Sequence, residues 1–195
     1  MCQFIETIRI ENGKPLNLGF HNYRFNRTRR DIFECNLPVN LADYIQPEPY
    51  TERIKCRIEY QEEVEKVEYL PYTIRPVESL RMVTSDGLDY TYKSSNRQKL
   101  DELFKQKGEA DDILIIRDGL LTDTSIANIA FWNGQQWETP EVSLLEGTMR
   151  ASLLGKGLIV PAVIRPQDLS RYTLVRLFNA MIGFGEIEFE VSKIV

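Results

Sequence analysis

DYTYKSSNRQKLDELFKQKGEADDILIIRDGLLTDTSIANIAFWNG, residues 89–134, is the stretch from which the rest of the chain can be read. Side chains alternate through LDYTYK, with Leu88, Tyr90 and Tyr92 on one parity and Asp89, Thr91 and Lys93 on the other. This pattern predicts a strand with Lys93 at its last, polar position. Ser94, Ser95 and Asn96 then offer cap-type oxygens for a helix whose apolar stripe is Leu100, Leu103 and Phe104 and which Gly108 closes. The run ILII (113–116) suits a buried strand, Asp118-Gly119 a tight turn, and LLTDTSIANIAFW a further pair of strands ending at the Asn133-Gly134 turn. A strand-end lysine is ordinarily a solvated surface charge. Here the residues that follow it give it a second meaning.

Lys93-Ser94-Ser95-Asn96, Thr122-Asp123 with Asn128-Ile129, and Leu145-Glu146-Gly147-Thr148-Met149-Arg150 follow one another in an order and spacing that resembles the class IV aminotransferases, the fold-type IV pyridoxal phosphate enzymes. Ile5-Glu6-Thr7-Ile8-Arg9, His21-Asn22-Tyr23-Arg24 and Asn179-Ala180-Met181 add shorter matches. The resemblance implies an α+β fold with a small N-terminal α/β domain, residues 1–84, and a larger C-terminal pseudo-barrel domain, residues 85–195. It also implies pyridoxal 5'-phosphate as cofactor. Lys93 would hold the cofactor and move the substrate proton, and Asp123 would face the ring nitrogen where family members usually carry glutamate, one methylene longer. Gly147, Thr148 and Met149 would receive the phosphate at a helix start, helped by Arg24 and by the turn at Asn179 and Ala180. By itself Gly147 also reads as a simple turn glycine, and His21 as a satisfied structural histidine.

Within the family, Gly147-Thr148-Met149-Arg150, Asn96-Arg97 and Ala127 through Trp132 look more like 4-amino-4-deoxychorismate lyase than like the transaminases. That lyase branch eliminates pyruvate from 4-amino-4-deoxychorismate to give p-aminobenzoate for folate biosynthesis. A transaminase of D- or branched-chain amino acids shares the cofactor residues and is the nearer alternative. A non-catalytic homologue that binds cofactor or a partner is the remoter one. The family also implies a homodimer with its pocket near the interface.

The chain's 195 residues carry a formal charge of −5 and a pI near 5.1, and show no Lys/Arg stripe interleaved with aromatics, which argues against nucleic acid as partner. The one basic cluster, RFNRTRR, reads as a solvated helix face at Arg27, Arg29 and Arg30, with Arg24 set apart. Cys2, Cys35 and Cys56 are odd in number, widely spaced and lack a C-x-x-C pair, so neither disulfides nor a metal site is expected. With no membrane-length apolar run and no signal-like N-terminus, the cytoplasm and a small-molecule substrate fit best. FIETIRI predicts a strand turning at Asn12-Gly13, residues 19–33 a helix, and residues 54–61 and 64–72 two alternating strands joined at Glu62-Glu63. LIVPAVI predicts an apolar strand interrupted by Pro161, and the C-terminal segment two strands around a turn through Gly183 and Gly185.

Overall fold

The computed structural model describes residues 3–195, so Cys2 lies outside the described residues. The chain divides into two compact units, residues 1–74 with 92–96, and residues 75–91 with 97–195. This differs from a single break at Thr84, because both the strand ending there and the segment carrying Lys93 belong with partners remote in sequence.

In the first unit β1 (Phe4–Glu11) turns at Asn12 and Gly13, both at positive φ, into the short β2 (Lys14–Pro15). Helix α1 (Leu18–Phe33) follows, then β3 (Ile54–Tyr60) and β4 (Val64–Pro71), giving an antiparallel sheet of order β2-β1-β3-β4. Phe4, Ile8 and Ile10 of β1 and Ile54, Cys56, Ile58 and Tyr60 of β3 share a core with Phe25 of α1. The buried residues of α1 are His21, Arg24, Phe25, Thr28 and Arg29, an i, i+3, i+4, i+7, i+8 stripe on which four of the five are polar or basic. Arg29 is therefore not on a solvated face. Its guanidinium donates to the Glu62 and Leu37 carbonyls at 2.6 and 2.8 Å, which satisfies it at an inward position.

In the second unit β5 (Leu80–Thr84) runs parallel to β6 (Asp112–Arg117), with α2 (Gln98–Phe104) between them in sequence. β6 turns at Asp118 and Gly119, both at positive φ, into antiparallel β7 (Leu120–Thr124). A second sheet, of order β10-β9-β8-β11-β12, comprises β8 (Asn128–Trp132), β9 (Trp137–Pro140), β10 (Val160–Ala162), β11 (Leu174–Phe178) and β12 (Ile187–Glu190), with α3 (Thr148–Gly155) preceding β10. Pro161 lies in the edge strand β10, where a missing N–H is tolerated.

Two local expectations are corrected. LDYTYK keeps its alternation in burial, with Leu88 and Tyr90 buried and Asp89 and Thr91 exposed, but it forms no strand. The Asp89 carboxylate accepts both the backbone N–H and the hydroxyl of Thr91, at 3.0 and 2.8 Å, and this local turn takes the amide away from any ladder. Helix α2 starts at Gln98 without a side-chain cap, because Ser94 accepts the Asn96 N–H and Ser95 donates to the Gln3 carbonyl. No helix among the described residues is long and apolar enough to cross a membrane.

Candidate active site

Lys93 is half-buried and held by its backbone, its carbonyl accepting the Ile5 N–H at 2.9 Å. Ser94 pairs with Phe4 in an isolated antiparallel bridge, and the Ser95 N–H donates to the Gln3 carbonyl at 2.9 Å. The lysine is thus carried on the edge of β1 opposite Ile5, the residue before Glu6. Glu6 shares the parity of Ile8 and Ile10, so its carboxylate faces the core and must be satisfied there. Helix α1 supplies the partners. His21 Nδ1 lies 2.6 Å from Glu6 Oε2, while Arg24 donates through Nε to Oε1 at 2.8 Å and through Nη2 to Oε2 at 2.6 Å.

Burial opposes the ionisation of Glu6, but the charge of Arg24 and the hydrogen bonds from His21 and Arg24 outweigh it and hold the carboxyl at about 2. Burial also pushes the pKa of His21 down; Glu6 pulls it back up, and the charges of Arg24 and Lys93 add to the depression. A neutral His21 facing an ionised Glu6 carries its proton on Nδ1. Arg24, expected as a phosphate clamp, commits one edge of its guanidinium to Glu6. Glu6 was not singled out in the sequence, although a glutamate on an otherwise apolar strand parity was the signal for it.

Asp123 lies in β7 of the second unit and is buried, with Thr122 turned the other way to donate to the Ile115 carbonyl at 2.7 Å. Its Oδ2 accepts the backbone N–H groups of Leu144 and Leu145 at 2.9 and 3.0 Å, and its Oδ1 accepts Asn128 Nδ2 at 2.9 Å. Burial pushes its pKa up to about 6, against the pull of the Leu145 amide, Asn128, the Arg150 charge and the Leu144 amide. Arg150 itself donates to the carbonyls of Pro140 and Glu141 at 2.8 and 3.3 Å. Gly147 caps α3, whose first residues, Thr148 and Met149, are buried and half-buried.

A Cβ on Gly147 would fall 1.9 Å from Asn128 Oδ1, so a close approach explains this glycine rather than its φ of −69°. Asn179 Oδ1 accepts the Met181 and Ile182 N–H groups at 2.8 and 2.9 Å, and its Nδ2 donates to the Ile126 carbonyl at 3.0 Å. Asn179 therefore braces its own turn, which contains half-buried Ala180, against the β7–β8 loop. Arg97 reaches the same loop, donating to the Ser125 carbonyl at 2.8 Å.

The residues present suit pyridoxal phosphate. A buried carboxylate whose pKa burial raises is stabilised by a cationic ring nitrogen, and a carboxylate with three bonds keeps acceptor capacity for a fourth. The start of α3 at Thr148 and Met149, where the first backbone N–H groups of a helix point along its axis and the helix dipole is favourable, suits an anion such as a phosphate.

The sequence profile of the amino-transferase class IV family matches residues 63–188. The chain belongs to the class IV aminotransferase family. An uncharacterised family relative from Haemophilus influenzae is 36% identical over 187 residues, covering 94% of this chain and all of the relative. The crystal structure of a proposed 4-amino-4-deoxychorismate lyase from Haemophilus somnus 129pt is 36% identical with a TM-score of 0.85, over 94% of this chain and 98% of that one. A proposed amino-acid aminotransferase from Mesorhizobium loti aligns over the whole of both chains at 22% identity with a TM-score of 0.76, a likeness of fold alone.

Proposed function

We propose that this class IV chain is a pyridoxal-phosphate-dependent lyase that eliminates pyruvate from 4-amino-4-deoxychorismate, leaving p-aminobenzoate. The observation that carries the cofactor reading is the buried Asp123 carboxylate, held by two backbone amides and Asn128 at the turn leading into α3. The lyase reading is supported by the Haemophilus somnus relative proposed to have that activity. When bound, pyridoxal phosphate supplies an electron sink for the carbon next to the substrate's amine.

In this reading Lys93 would hold the cofactor through Nζ, and the same Nζ, once free, would serve as the base that takes the substrate's proton. Asp123 keeps a proton on the ring nitrogen by its negative charge. Gly147, Thr148 and Met149 receive the phosphate at the start of α3, with Arg24, Asn179 and Ala180 as further phosphate contacts. As the bond from the ring carbon to the enolpyruvyl oxygen breaks and the ring becomes aromatic, the leaving enolpyruvyl group would gain a proton at its methylene carbon and depart as pyruvate. The protein's main task would be to orient the substrate and carry that proton from the ring carbon to the leaving group. We include in the proposal a cytoplasmic homodimer.

Two measurements test it. Borohydride reduction and peptide mapping should leave a pyridoxyl group on Lys93; a label only on Lys99, Lys105 or Lys107 would overturn the assignment. Enzyme given 4-amino-4-deoxychorismate alone should release p-aminobenzoate and pyruvate through many turnovers without any keto acid. If the protein forms no p-aminobenzoate, yet exchanges amino groups between an amino acid and a keto acid, it is a transaminase instead.

A further inference from the structure

Asn128 opens β8 and is buried where three segments of the second unit meet. Both bonds recorded from its amide nitrogen are donated inward, to Asp123 Oδ1 at 2.9 Å and to the Leu145 carbonyl at 3.0 Å. Asp123 meanwhile takes the N–H groups of Leu144 and Leu145. The turn before α3 is thus gripped twice, at its amides by the carboxylate and at a carbonyl by the asparagine. The amide oxygen of Asn128 fills the space a side chain at position 147 would need, and it cannot swing away without giving up both bonds.

We propose that Asn128 is a positioning residue that locks Asp123 to the Gly147 turn, so that the carboxylate and the start of α3 are held as one piece before any cofactor binds. The inference rests on the reading above, in which these two elements serve the two ends of one cofactor. Other side chains do less at this position. Aspartate would set a second carboxylate against Asp123, leucine would donate nothing, and alanine or serine would leave the Gly147 space open. With asparagine in place, Gly147 is obligatory for lack of room.

The test uses cofactor-free protein and two readouts. In a carbon-detected NMR titration, Asn128→Ala should move the Asp123 carboxyl upward by about one pH unit, since a donor to the ionised form is lost, and Asn128→Ser should restore part of that move. In thermal denaturation, Gly147→Ala should lower the melting temperature by about 4 °C or more in the wild-type background, and by less than half as much when Asn128 is alanine or serine. Binding of added pyridoxal phosphate should follow the same coupling. An Asp123 titration unmoved by Asn128→Ala and Asn128→Ser, or a Gly147→Ala loss of the same size with and without Asn128, overturns the proposal. If Asn128→Ala does not fold, Asn128→Ser carries both measurements. Should the lock behave as described while Lys93 takes up no cofactor, the proposed function fails and the positioning role stands.

Discussion

Glu6 and Asp123 are both buried carboxylates, and their surroundings drive them in opposite directions. Glu6 gains a full cation and two charge-assisted bonds from Arg24 and is held at about 2, well below the 4.5 ordinary for a glutamate. A depressed folded pKa gives stability that is present above about 4.5 and lost as the pH falls toward 2. Asp123 has amide donors but no ion pair, and it rises from 3.8 to about 6. Its sign is reversed: ionising it costs stability as the pH climbs from about 4 to 6, on the order of 3 kcal/mol in all. In urea unfolding of cofactor-free protein, Asp123→Asn should flatten the loss between pH 4 and 6. An unchanged slope there would assign that titration to another group. Glu6→Gln should cost about 3–5 kcal/mol at neutral pH, because it strands the Arg24 charge, and should remove much of the acid-side loss below pH 4.5. In activity, Asp123→Asn should keep the Lys93 linkage and lose about 10²-fold or more in kcat, as a neutral amide no longer favours a protonated ring; near-native turnover would remove Asp123 from the chemistry.

At the scale of elements, segment 88–96 shows how a polar side chain can override a strand pattern. Its alternation is real, yet Asp89 captures the Thr91 amide, and the pairing to β1 begins only at the Lys93 carbonyl. Asp89→Ala should therefore speed hydrogen exchange of the Thr91 amide by roughly fivefold, the worth of one ordinary hydrogen bond, while leaving the Ile5 amide as it was. Equal acceleration at both would mean that the Asp89 turn, rather than the edge of β1, holds the lysine segment. Helix α1 makes a similar point. Its inward stripe carries His21, Arg24 and Arg29 as well as Phe25, so its polar residues serve as much to satisfy buried charges and carbonyls as to meet water.

For the whole molecule, the chain enters the first unit twice, the second time only for residues 92–96. Ile58→Ala should destabilise the first unit by about 2–5 kcal/mol and speed exchange of the Ser95 and Ile5 amides together with the β1–β3 ladder, ahead of the β6 amides. If Ser95 follows β6 instead, the segment belongs with the second unit. The sequence by itself determined what depends on neighbours along the chain: the turns at Asn12-Gly13 and Asp118-Gly119, the buried strand at 113–116, the stripe of α2 and the motif order that pointed to the family. Tertiary structure decided what depends on long-range pairing. It drew β5 to β6, moved the boundary off Thr84, turned Arg29 inward, and made Asn128 the reason Gly147 is glycine. Local periodicity records which side of a strand or helix is apolar. It carries no record of which distant carbonyl or amide satisfies a buried charge, and that is the term on which the arrangement around Glu6 and Asp123 depends.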